Sequence, residues 1–171
     1  MKPIKIIVTG ASGRMGQTII KKILINKSLK LIGATEGYKN KFLGSDISAL
    51  IKSKKTGIII TDKIEPLFAK ADAVIDFTIP IATLNYAEMA AKYKIVHVIG
   101  TTGFSPSDEK KIGLAAKKAT IIKSGNMSMG INILQNVINK TASLFNDTFN
   151  IEVLETHHKN KIDAPSGTAL M

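Results

Sequence analysis

The chain contains no cysteine. That removes thiolate catalysis, disulfides and Cys-rich metal sites together, and it suits a cytoplasmic protein. Aromatic residues make up only 5%, which is thin for a surface that stacks nucleic-acid bases. Long apolar runs are missing too: Lys or Asp interrupts each one before it reaches the length of a membrane helix, so no membrane partner is expected. Met1-Lys2-Pro3 leads straight into a predicted strand, so no signal peptide is expected. Low-complexity tracts and internal repeats are absent, and 44% apolar residues argue for a packed core. Acidic residues are few: 13 against 24 Lys plus Arg, a net charge of +11. The excess invites a nucleic-acid reading. The lysines, however, scatter over predicted helix faces and form no block, so the expectation is a soluble basic surface that draws in small polyanions, with no nucleic acid bound. The 171 residues suffice for one substantial core and part of another.

What is present is organised around Gly10-Ala11-Ser12-Gly13-Arg14-Met15-Gly16. A β-branched run, residues 4–9, precedes it, and Met15, Ile19, Ile23 and Leu24 follow at helical spacing. Strand, glycine turn and helix in that order suit a pyrophosphate, because glycines let the backbone approach closely and the helix start offers unpaired N–H groups. A glycine-rich turn without a ligand is the competing reading. A second strand, residues 29–35, ends at Glu36, whose carboxylate is placed to accept hydrogen bonds from ribose hydroxyls.

The alternation continues. Residues 37–40 read as a turn and 42–53 as a loop or short helix. Strands are predicted over 56–61, 73–78, 96–100 and 120–123. Helices are predicted over 65–70, from Pro80 to about 93, and from a Ser105 cap to about 118. This βαβ rhythm predicts a doubly wound parallel sheet over residues 1–125, α/β and Rossmann-like. In such a sheet, ligands bind beyond the carboxyl ends of the strands. The glycine turn, Asp76-Phe77-Thr78, Gly100-Thr101-Thr102 and Gly125-Asn126-Met127 converge there. From 126 the pattern changes to a helical stripe (Ile131, Leu134, Ile138, Ala142, Phe145) and then a strand over 149–156, the beginning of an α+β domain over 126–171.

That strand delivers His157, His158 and Lys161, followed by Asp163-Ala164-Pro165-Ser166-Gly167-Thr168 with the composition of a helix start. A histidine moves protons near neutral pH and a lysine holds a carboxylate or donates a proton. N–H groups at the helix start would receive a carboxylate. Zinc is a competing use of paired histidines, poorly served by adjacent spacing and the lack of a third ligand, so no metal is expected. A plain basic loop is the other alternative. His97, inside an apolar strand, reads as structural.

Together these residues resemble the dihydrodipicolinate reductase family, also called the 4-hydroxy-tetrahydrodipicolinate reductases. The stretches that carry the resemblance are GASGRMG at 10–16, DFT with Pro80, VIGTTGF at 98–104, SGNMSMGIN at 124–132 and ETHHKNKIDAPSGTAL at 155–170. The resemblance implies an NAD(P)H-dependent oxidoreductase of diaminopimelate and lysine biosynthesis that passes a hydride to a cyclic unsaturated dicarboxylate. It implies cofactor contacts from Gly10, Ala11, Ser12, Gly13, Arg14, Met15, Glu36, Gly100, Thr101, Thr102, Ser124, Gly125, Asn126 and Met127. His157 is implied as the acid/base residue, Lys161 as proton donor, and His158, Gly167 and Thr168 as the substrate's carboxylate holders. Gly37 stands where the family commonly has an Arg that meets a 2′-phosphate, which favours NADH. Asn160 replaces a basic residue often found there. Family members run on past the PSGT motif to complete a substrate domain that also builds a homotetramer. The expectation is therefore a shortened relative with an exposed strand edge and apolar face. The alternatives are a nucleotide binder without catalysis, a basic nucleic-acid binder and another Rossmann dehydrogenase of the aspartate type, which the PSGT loop argues against.

Overall fold

The β-branched run at the start becomes β1 (Ile4–Thr9), the innermost strand, with Ile7, Val8 and Thr9 fully buried. The computed structural model describes residues 2–157, 159 and 164–171. They fall into two compact units, dividing between Lys123 and Ser124.

In the first unit, β1 is followed by α1 (Arg14–Ile25), β2 (Leu29–Thr35), α2 (Ser48–Ile51), β3 (Ile60–Thr61), α3 (Glu65–Phe68), β4 (Ala73–Asp76), α4 (Pro80–Tyr93), β5 (Val96–Ile99), α5 (Pro106–Ala115) and β6 (Ile121–Lys123). The six strands form one sheet in the order β3-β2-β1-β4-β5-β6, and every ladder is parallel. This is the expected doubly wound sheet. Successive side chains of a strand point to opposite faces. Ile6 and Val8 accordingly pack with Ile20 and Ile23 of α1 and Leu50 and Ile51 of α2, while Ile7 packs with Phe68 of α3 and Tyr86 and Ala90 of α4. The strand order switches sides between β1 and β4, the point at which a doubly wound parallel sheet opens a crevice beyond its carboxyl ends.

Two predicted strands are shorter than their sequence pattern. Residues 56–61 shrink to Ile60–Thr61, because the Asp46 carboxylate draws 56 and 57 into a loop. It accepts bonds from Ser48 N at 2.8 Å, Thr56 N at 3.2 Å and Gly57 N at 2.6 Å. Residues 77 and 78 leave β4 because Thr78 N turns to Asp76 Oδ1 (3.1 Å) and Thr101 Oγ1 (3.0 Å). The ambiguous 42–53 stretch contains the short α2. The predicted cap of α5 is present as a full capping box between Ser105 and Asp108.

The second unit holds α6 (Met129–Ala142), which ends before Phe145, the last residue of the predicted stripe. Phe145 instead packs on Phe149, with ring centroids 4.8 Å apart. The predicted strand over 149–156 has no ladder among the described residues. A strand requires a neighbour to take its N–H and C=O groups, and no other described segment pairs with it. Its Val153 and Leu154, with Ile133 and Val137 of α6, remain exposed. Among the described residues no helix is long and apolar enough to cross a membrane.

Two predictions follow from the packing. Ala exceeds Gly in helix propensity by about 1 kcal/mol, yet a Cβ on Gly16 would stand 2.2 Å from the Gly10 carbonyl oxygen and 2.9 Å from Ala11 Cα. Gly16→Ala should therefore lose roughly 1–3 kcal/mol in urea unfolding; a stabilised variant would contradict this seating of α1. At Asp46, the Ser48 N–H bond, outweighing the opposing effect of burial and joined by Thr56 and Gly57, holds the carboxyl well below its ordinary value. A depressed carboxyl contributes stability above its unfolded pKa and loses it as pH falls toward the folded one. The stability gap between the unaltered chain and Asp46→Asn should thus narrow as pH drops below 3.8. A gap constant with pH would refute it.

Candidate functional site

The glycine turn joins β1 to α1 through a positive φ of 63° at Gly10, where a Cβ would strike Thr78 Cγ2 at 2.9 Å. Gly13 is the N-cap of α1 and supplies no side-chain cap, and no acidic residue sits in the helix's first turn. The N-cap therefore supplies no side-chain acceptor to the N–H groups of the helix's first turn. Arg14 and Met15 lie exposed on this first turn, and Ala11 is buried beneath it.

Glu36, just past β2, reaches this turn. Its Oε1 accepts a hydrogen bond from Ser12 N at 2.6 Å, and Oε2 accepts from Asn40 Nδ2 at 3.0 Å. Asn40 Nδ2 also lies 3.2 Å from Ser12 Oγ. A carboxylate therefore already sits on a backbone donor of the turn, where the sequence reading puts a pyrophosphate. Lys39 and Lys41, the nearest cations in sequence, lie over the rings of Tyr38 and Phe42. Gly37 has open space around its Cβ position.

The neighbouring strand ends are tied by Asp76, which is fully buried. Its Oδ1 accepts from Thr9 Oγ1 (3.0 Å), Thr78 N (3.1 Å) and Thr78 Oγ1 (2.6 Å), and Oδ2 faces His97 Nε2 at 3.3 Å. Burial pushes the carboxyl up, but hydrogen bonds from His97, Thr78 and Thr83 outweigh it and the net shift is downward. Thr101 Oγ1 accepts from Thr78 N and lies 2.9 Å from Thr83 Oγ1. Gly100 has no room for a side chain: a Cβ would fall 2.1 Å from the Phe77 ring. Gly10, Gly100, Thr101 and the half-buried Thr102 are thus brought to one end of the sheet. The broad groove between α4 and α5, lined by Lys92, Lys94, Lys111 and Lys117, belongs to the helices' C-terminal ends. Of these, Lys92 lies in the last turn of α4, where a cation complements the helix dipole.

In the second unit, residues 124–127 meet the PSGT turn. Asn126 Nδ2 donates to Thr168 Oγ1 at 2.8 Å, and a Cβ on Gly125 would lie 2.5 Å from the Gly167 carbonyl oxygen. Ser124 Oγ donates to the Asn126 carbonyl at 2.8 Å, and Met127 is exposed. The expected carboxylate receptor holds a carboxylate from this chain: Glu155 accepts from Ser166 N at 2.7 Å and from Ser166 Oγ. His157 Nδ1 lies 3.6 Å from Glu155 Oε2. His158, Asn160, Lys161 and Asp163 lie outside the described residues. Sequence reasoning passed over Asn40, Glu155 and the bond between Asp76 and His97. For Asp76 and His97 the available signal was an ionisable residue inside an otherwise apolar strand.

The comparisons with known proteins agree with one another. Residues 4–127 match the N-terminal family model of dihydrodipicolinate reductase and residues 130–171 the C-terminal one. The 4-hydroxy-tetrahydrodipicolinate reductase of Brucella abortus (strain 2308) is 50% identical over 97% of this chain, and that of Parvibaculum lavamentivorans 48% over 98%. The chain spans 62% of the length of either relative. A dipicolinate-bound dihydrodipicolinate reductase from Paenisporosarcina sp. TG-14 superposes with a TM-score of 0.73 at 25% identity, covering 98% of this chain and 63% of that one. A Rex-family repressor in complex with β-NADH shares the fold alone, with a TM-score of 0.55 at 16% identity over 84% of this chain and 63% of that one. Matched by the family's models over both of its parts, the chain belongs to the dihydrodipicolinate reductase family.

Proposed function

We propose that the chain serves as an NAD(P)H-dependent reductase of a cyclic unsaturated dicarboxylate, the 4-hydroxy-tetrahydrodipicolinate reductase reaction of diaminopimelate and lysine biosynthesis in the cytoplasm. The observation that carries the nucleotide half is the Ser12–Glu36 hydrogen bond, which joins an anion-binding turn to a ribose-binding carboxylate across 24 residues of sequence. Family membership carries the reaction.

The residues fit a dinucleotide. The Gly10–Gly16 contact seats α1 with its uncapped start toward the turn, and Gly100 lets the Phe77 ring pack on the backbone where the 100–102 loop begins. When bound, NAD(P)H supplies a hydride. In our reading, Ser12, Gly13, Arg14 and Met15 hold the diphosphate and Glu36 the adenosine ribose, while residues 100–102 and 124–127 receive the nicotinamide half. Gly167, Thr168 and His158 hold the substrate's carboxylates. His157 acts as acid/base residue and Lys161 gives the ring the proton that accompanies the hydride. NADH is preferred, since Glu36 would repel a 2′-phosphate and Gly37 offers it no cation. The partners are small anions and further copies of this chain; the exposed Ile133, Val137, Val153 and Leu154 support such an assembly.

Isothermal titration tests the nucleotide half. NADH should bind more tightly than NADPH, and Glu36→Ala should weaken NADH by about tenfold, or 1.4 kcal/mol. Gly37→Arg, which enters open space, should raise NADPH affinity. Tighter NADPH binding by the unaltered chain would overturn the cofactor preference. For the reaction, NADH oxidation with fresh substrate should fall by about 100-fold or more in His157→Ala and Lys161→Ala. Equal rates in all three proteins would remove both residues from the mechanism. Both readings expect NADH to bind; the reductase should bind pyridine-2,6-dicarboxylate in addition, and binding of NADH alone would favour the non-catalytic relative.

A further inference from the structure

We infer that the buried Asp76–His97 pair is a positioning device for the 100–102 loop, and thereby governs how tightly the nicotinamide half of a bound dinucleotide is held. The inference rests on the function proposed above.

Asp76 is completely withdrawn from solvent. A buried carboxylate is tolerated only when its lone pairs are met by donors. Oδ1 has three donors from Thr9 and Thr78, while Oδ2 faces His97 Nε2 at 3.3 Å. His97 comes from the middle of β5, in register with Val74, and is also fully buried. Its second nitrogen, Nδ1, has no hydrogen-bond partner among the described residues. An orphaned buried nitrogen costs stability, so packing alone would be better served by an apolar residue. What the imidazole supplies is a donor for Oδ2.

The consequence reaches the cofactor side through two short links. Gly100 N donates to the Asp76 carbonyl at 2.8 Å. Thr78 N is shared between Asp76 Oδ1 and Thr101 Oγ1, and Thr101 Oγ1 in turn meets Thr83 Oγ1. The orientation of the Asp76 carboxylate therefore sets where Thr78 and Thr101 stand, and with them the loop that begins at Gly100. The Ser12–Glu36 end of the site is anchored separately, by Asn40. Loss of the imidazole should loosen one end of the site and spare the other.

The test compares NADH with ADP-ribose, which lacks the nicotinamide, by titration into the full chain. His97→Leu should weaken NADH by about tenfold while ADP-ribose changes by less than about twofold. His97→Gln, whose amide can donate to Oδ2, should recover most of the NADH affinity. A purely structural histidine would move both ligands together with the melting temperature, and equal losses would overturn the inference, as would His97→Gln behaving like His97→Leu. Should His97→Leu fail to fold, the near-isosteric Thr83→Val cuts the same relay and should give the same selective loss; unchanged NADH binding there would also overturn it. An unaltered chain that binds neither ligand would instead refute the proposed function itself.

Discussion

One buried charge organises the functional end of the first unit. Asp76 terminates β4 beside β1, at the point where strand order reverses, and its carboxylate cannot reach water. It must gather donors, and it does so from Thr9 at the end of β1, from Thr78 in its own loop and from His97 in β5. A demand for hydrogen bonds at one point thereby ties together the end of β1, the loop after β4 and the middle of β5. The parallel sheet brings the strand ends together; the carboxylate determines how the chain leaves them.

A second theme is that each expected anion receptor already holds a carboxylate of this chain. Glu36 sits on Ser12 N, and Glu155 sits on Ser166 N. The roles differ. Glu36 comes from outside the turn and is cross-braced by Asn40, so the two bonds fix the direction of its carboxylate. Glu155 also takes Ser166 Oγ, and Ser166 is buried, so this bond holds the shape of the PSGT turn. Backbone donors at such turns have a strong preference for negative charge, and both contacts display it.

The parallel doubly wound sheet, the glycine turn and the Ser105 cap were legible in the sequence because each follows from local pattern: β-branched runs alternating with helical spacing, glycines between them, a polar cap before Pro. What was not legible depended on distant pairing. Residues 56–59 look like strand, yet Asp46 claims the N–H groups of Thr56 and Gly57 from ten and eleven residues away. Residues 149–156 carry a strand pattern, but a ladder requires a neighbour that a sequence pattern cannot supply. His97 was read as structural from its apolar surroundings; the contact with Asp76 shows only in three dimensions, because the two lie on different strands. Asn40 looked like turn composition and gave no sign of bridging Glu36 and Ser12.

The central claim is that the first unit is a dinucleotide receptor built at the glycine turn. Amide chemical shifts followed during an NADH titration test it most directly. The account predicts that the amides of Ser12, Gly13 and residues 100–102 shift together and saturate, while those lining the α4/α5 groove, such as Lys92 and Lys111, stay in place. Shifts confined to that lysine-lined groove, with Ser12 unmoved, would contradict it.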